Sequence, residues 1–172
     1  MIYVIISVCI IFFIFLIGLM YYNQANNIDN IKIKLEEVKK NIKIAQEEEI
    51  EILTKISKDF YKLYNKKPLS NLSKIKNKAL DIFELENELD SLNKTLNEFI
   101  EDNSIDNYES KNELHSILIE LKSLKQFYNK YTKKYNDSIG SFKYVLLRLI
   151  QKYKKFPMFT IKKEVEFEIL KK

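Results

Sequence analysis

Hydrophobic and polar positions divide this chain into three regimes. From Ile2 to Met20 every residue is apolar except Ser7 and Gly18, and no charged side chain occurs before Asp29. A bilayer core needs roughly 20 apolar residues of helix, so the pattern predicts a transmembrane helix over 1–22. From Ile28 the run breaks into a spacing of three and four. Positions 28, 31, 35, 38, 42, 45, 52, 56 and 63 form a stripe, with Ile50, Leu53, Phe60 and Tyr64 beside it, while Glu49 and Asp59 interrupt it. This predicts a helix over 28–66 with a face too wide for a two-stranded seam. Pro68 is expected to stop it, because proline lacks an amide hydrogen and clashes with the preceding turn. Leu72, Ile75, Ala79, Ile82, Leu85, Leu89, Leu92, Leu96 and Phe99 predict a second helix over 70–101, and the polar run 101–107 reads as a loop. Leu114, Ile117, Leu121, Leu124, Tyr128, Tyr131, Tyr135 and Ile139 predict a third over 107–139, stopped by Gly140. A short fourth, amphipathic helix is expected over 141–155, followed by an extended tail over 157–172.

The expected fold class is therefore all-α: an N-terminal transmembrane helix, then an antiparallel up-down bundle of three long helices with a short fourth, the bundle domain occupying 23–156. Scarce Gly and Pro (two of each) agree, since sheets need turns and turns draw on both residues.

A cleaved secretory signal would carry a basic n-region, a short apolar core and a small-residue cleavage site. Here no Lys or Arg precedes the run, and Tyr21-Tyr22-Asn23 follows it. Tyr3 and the Tyr21-Tyr22 pair suit the two interfaces. Cys9 lacks the preceding small residue of a lipidated cysteine and reads as a lipid-facing residue of the span. Lys32, Lys34, Lys39 and Lys40 lie only on the C-terminal side, which places the following domain in the cytoplasm by the positive-inside rule.

Candidate chemistry is sparse. His115 is the single histidine and Cys9 the single cysteine, whereas a bundle di-metal site draws on Glu-x-x-His motifs from two helices. No nucleophile with a positioned base is visible, and two glycines cannot build a phosphate-cradling loop. Neither a cofactor, a metal nor an enzymatic activity is expected. The net charge of +5 is local: residues 138–172 carry nine basic and three acidic side chains, while 29–101 carry 14 and 15. A balanced body disfavours nucleic acid as a partner.

At Tyr128 to Asn136 the chain reads Tyr-Asn-Lys-Tyr-Thr-Lys-Lys-Tyr-Asn. This doubled Tyr-Asn on the last long helix, together with Tyr22-Asn23 after the span, Leu35-Glu36-Glu37-Val38 and Ile42-Lys43-Ile44, resembles the LemA family of bacterial membrane proteins. The resemblance implies a helical bundle beside the bacterial inner membrane and no enzyme chemistry, with Tyr128, Asn129, Tyr135 and Asn136 as structural motif residues. Gln46-Glu47-Glu48-Glu49 and Leu53-Thr54-Lys55 stand where the family has a basic cluster and a Leu-Ile-Pro-Asn stretch, so no role of that cluster is carried over. By spacing alone, Tyr128 and Tyr135 are two turns apart and face the core, with Asn129 and Asn136 at its edge, able to bond across to a neighbouring helix.

The basic segment is the best candidate interaction surface: Lys143, Arg148, Lys152, Lys154 and Lys155. In an up-down bundle it would begin at the end far from the membrane, so its apolar face is expected on the bundle and its basic face toward an acidic protein. Two function classes remain. One is a membrane-anchored module, tied to lipid through residues 1–22, that binds an unknown protein or itself. The other is a tethered binder of nucleic acid or anionic lipid.

Overall fold

The computed structural model describes residues 1–76, 78–105, 108–141, 144, 145, 149 and 152–161, with only the backbone of Lys74 and Lys76. Among them are four helices and no strand: α1 (Ile2–Tyr64), α2 (Leu72–Lys76), α3 (Ile82–Asp102) and α4 (Lys111–Gly140). They form two compact units. One comprises Met1–Glu37 and Tyr128–Met158; the other comprises Val38–Phe127 with the described residues from Phe159 on.

The apolar stretch and the first amphipathic stretch are one uninterrupted helix, α1. No proline or glycine falls between Gly18 and Pro68 to break it. Its environment changes along its length. Residues 1–20 are exposed on every side, cover begins at Tyr21, and Ile28, Ile31 and Leu35 are buried. The helix is long and apolar enough over its first residues to cross a membrane. It ends at Tyr64, four residues before the proline expected to stop it. Asn65 adopts a left-handed conformation (φ 53°) and its N–H donates to Tyr61 O at 2.9 Å. Asparagine tolerates that conformation and so closes helices as glycine does.

In the larger unit, α1 contributes Val38, Ile42, Ala45, Ile52, Leu53, Ile56 and Phe60 to the core, α3 contributes Leu85, Leu89, Leu92, Leu96 and Ile100, and α4 contributes Leu114, Ile117 and Leu121. Leu63, placed in the stripe by spacing, is 72% exposed. At one end Phe60 meets Phe99 (centroids 5.4 Å) and Tyr108 (5.6 Å), and Tyr64 meets Phe99 (6.2 Å).

The helix directions differ from the up-down expectation. Gln46 bonds to Ile82 O and Glu86, Glu49 to Asn93, and Phe60 touches Phe99. Partners on α3 advance as α1 advances, so these two helices are parallel. On α4 the order reverses, with Lys125 at the level of Glu86 and Glu113 bonded to Lys55, so α4 is antiparallel to both. The single helix expected over 70–101 is broken: α2 is five residues long, and α3 starts afresh at Ile82. Asp81 caps α3 in a complete capping box. Its carboxylate accepts from the N–H groups of Phe83 (2.8 Å) and Glu84 (2.9 Å), while Glu84 accepts from Asp81 N–H. Such caps satisfy amides that no intrahelical carbonyl can reach.

Residues 65–81 therefore return along α1 before α3 begins. From Tyr64 back to Gln46 is about 27 Å of helix at 1.5 Å per residue. Seventeen residues can extend about twice that far. The return buries Leu69, Leu72 and Ile75, and Leu69 and Leu72 line a groove with Thr54, Ser57 and Tyr61 of α1. A crossover that buries its own leucines stabilises the parallel arrangement instead of hanging loose in water.

Candidate functional site

In the smaller unit, α4 descends beside the first turns of α1 that follow the apolar stretch. Lys34 Nζ lies 5.5 Å from the centroid of the Tyr131 ring, and Asp29 is close enough to act on the Tyr135 phenol. The basic segment predicted to start at the far end is thus held beside Tyr21–Asp29.

Tyr144, Val145 and Leu149 of this segment are helical, but its C-terminal part is a strap. Residues 152–161 lie outside helix, and Lys152 has φ 47°. The predicted fourth helix over 141–155 is corrected at its C-terminal end, and most of the remainder, including Lys143 and Arg148, lies outside the described residues. Two features oppose helix here. Pro157 disfavours the α region at Phe156. Tyr153 and Phe156 both turn onto the same α4 residue, Tyr135, at centroid distances of 6.3 and 4.9 Å.

The second Tyr-Asn pair, Tyr135-Asn136, builds that attachment. Tyr128 and Tyr135 are each 2% exposed. Asn136 uses both ends of its amide on the backbone of one residue: Nδ2 donates to Phe156 O (2.9 Å), and Phe156 N–H donates to Oδ1 (3.0 Å). Spacing placed this amide at the edge of the core, bonding to a helix; its partner is an extended segment. Asn129 is half-buried, and Thr132, which the stripe omitted, is fully buried between the tyrosines. Nearer the apolar stretch, Asn27 Nδ2 donates to the Tyr144 hydroxyl at 3.1 Å.

Burial raises the Tyr153 phenol above its ordinary value, and Asp29, Tyr135 and Tyr21 add to the shift. The strap is thus close to Tyr21, where cover of α1 begins. Burial also raises Tyr128 and Tyr135, the first opposed by the Thr132 hydroxyl and both pushed further by an acid on α1, Glu36 and Asp29 respectively. Lys152, Lys154 and Lys155 are exposed. The strap is therefore a positively charged surface pinned by apolar rings and one amide.

The larger unit holds a buried polar layer that spacing treated as an interruption. Gln46 is fully buried, Glu49 is 1% exposed and Asn93 9%. Gln46 Nε2 donates to Ile82 O and to Glu86 Oε2, both at 2.9 Å. Asn93 Nδ2 donates to Glu49 Oε1 at 2.6 Å, and Lys125 pairs with Glu86. Gln46 Oε1 and Asn93 Oδ1 accept no hydrogen bond. Desolvation pushes the Glu49 carboxyl up to about 7. The Asn93 hydrogen bond and Lys125 pull it down, and Glu86 and Asp90 push it up.

Among the described residues no three His, Cys, Asp or Glu side chains converge on a metal position. His115 is half-buried, with Nδ1 inside the protein. Comparison with known proteins finds no matching family model, no matching curated protein and no matching solved structure.

Proposed function

We propose that this chain is a membrane-anchored helical-bundle protein of LemA type, a non-enzymatic protein-interaction or scaffolding module at the cytoplasmic face of a bacterial inner membrane. One observation carries the membrane part. Ile2, Tyr3, Val4, Phe12, Phe13 and their neighbours are mostly 40–85% exposed around the whole circumference of α1, while the same helix buries its apolar residues from Ile28 on. So large a continuous apolar surface needs lipid or another cover. The doubled Tyr-Asn supports the family reading. The partner is a second protein or a second copy of the chain.

Carbonate washing of native membranes tests the anchor: the full-length chain should stay in the pellet. Release into the supernatant removes the reading. Proximity labelling with the span intact then finds the partner. Changing Lys152, Lys154 and Lys155 to Glu should leave the labelled protein set unaltered if scaffolding is the function.

A second reading, a tethered binder of nucleic acid or anionic lipid, is favoured by the position of the strap. Tyr153 brings it beside Tyr21 and Asp29, and Tyr144, ahead of it in the chain, accepts from Asn27, both at the part of α1 nearest the apolar stretch.

A further inference from the structure

We propose that the strap and the end of α4 form a docking surface for the anionic headgroups of the leaflet in which α1 is anchored, with Lys133, Lys134, Lys152, Lys154 and Lys155 as the contacting cations. The proposal rests on the membrane reading of α1 and narrows the second of the two functions to one partner.

Position is the first support. Cover of α1 begins at Tyr21, and the strap and its neighbours meet α1 at Tyr21, Asn27 and Asp29. Asp29 is seven residues past Tyr22, about 10 Å along the axis. The headgroup layer is about 5–8 Å thick on each side of the hydrocarbon, and the electrostatic field reaches about 8 Å further at physiological salt. Side chains at this level lie within the field of the lipid surface.

Charge is the second support. The described charged side chains from 130 to 158 are six lysines, all exposed, and one acid, Asp137. The third is rigidity. A free polybasic tail must be ordered on binding, but this one is already fastened by the two Asn136 hydrogen bonds and the Tyr135–Phe156 contact. Each basic residue near an anionic leaflet strengthens association about fivefold, so the three strap lysines together are worth about a hundredfold in occupancy.

Lysine footprinting on the full-length chain provides the test. The chain is reconstituted in phosphatidylcholine nanodiscs, with or without 30% phosphatidylglycerol, and treated with an amine-acylating reagent. Neither lipid carries a primary amine. Mass spectrometry then reads each lysine against Lys94, whose side chain on α3 is 80% exposed. An anionic surface concentrates protons at an amine held against it and lowers its reactivity about three- to sixfold. Lys152, Lys154 and Lys155 should show that loss in phosphatidylglycerol discs and recover it in 0.5 M salt, while Lys94 does not change. Equal reactivity in the two lipids overturns the proposal. So does protection by a DNA oligonucleotide in pure phosphatidylcholine discs that matches the effect of phosphatidylglycerol. Failure of the chain to enter either disc overturns the membrane reading itself, a result separate from equal labelling in chain that has entered.

Discussion

Glu49 is 1% exposed between α1 and α3, and replacing it with glutamine should stabilise the protein at pH 8 while leaving it unchanged at pH 4. The reason is the distance between its carboxyl's ordinary value of 4.5 and the value of about 7 set by burial. Below pH 4.5 the group is protonated in the folded and unfolded chains alike and contributes no difference. Between 4.5 and about 7 the folded chain keeps a proton that the unfolded chain has released, so stability falls as pH rises. Above about 7 the loss is complete, and at about 1.4 kcal/mol per pH unit it comes to about 3 kcal/mol. Glu49→Gln removes this term. The new amide keeps an oxygen for Asn93 Nδ2 and brings an N–H that Asn93 Oδ1 can accept, so the neighbouring asparagine is not orphaned. The assay is urea unfolding of the full-length chain in a neutral detergent, followed by near-ultraviolet circular dichroism. With 11 tyrosines and no tryptophan, that signal reports tyrosine packing. The variant should be about 3 kcal/mol more stable than the parent at pH 8 and equal to it at pH 4. A variant less stable than the parent at pH 8, or a difference independent of pH, refutes a desolvated, proton-holding Glu49.

Asp81→Ala removes both backbone bonds at the start of α3 and should cost about 1 kcal/mol in the same assay, with Asp81→Asn retaining most of it. Asn136→Ala releases the Phe156 backbone; amide exchange at Phe156 should accelerate about fivefold, at about 1 kcal/mol for a net hydrogen bond, while exchange in α3 stays unchanged. Unchanged protection at Phe156 would mean that the aromatic contacts alone hold the strap.

Much of this fold is legible in residue spacing. A charge-free stretch of this length satisfies every backbone group within itself only as a helix, and that holds whatever follows Ile2–Met20. The stripes through Ile28–Ile56, Leu85–Ile100 and Leu114–Ile139 follow from a 3.6-residue period, which is a local property. The break before α3 was also written locally, as Asp81-Ile82-Phe83-Glu84. A leucine spacing that runs through it hid the signal, because period alone cannot tell one helix from two in register.

Other features had no local signature. Glu49 lies on the buried stripe between Ala45 and Ile52, and its register says inward as clearly as its charge says outward. Only Asn93 on α3 decides between them. Asn136 could be placed at an edge, but its partner Phe156 is twenty residues away, and nothing in the spacing names it. Helix direction is the largest case. Amphipathic helices bury the same face whether they run parallel or antiparallel, so hydrophobic pattern determines which residues are inside and says nothing about which way a neighbour runs. That was settled by residues 65–81, long enough to cross back, with Leu69, Leu72 and Ile75 buried on the way. Within the smaller unit the basic strap stands beside the turns of α1 that follow the apolar stretch, not at the far end expected for it. Composition determined that a lysine-rich segment exists; the chain's path in three dimensions decided what it stands beside.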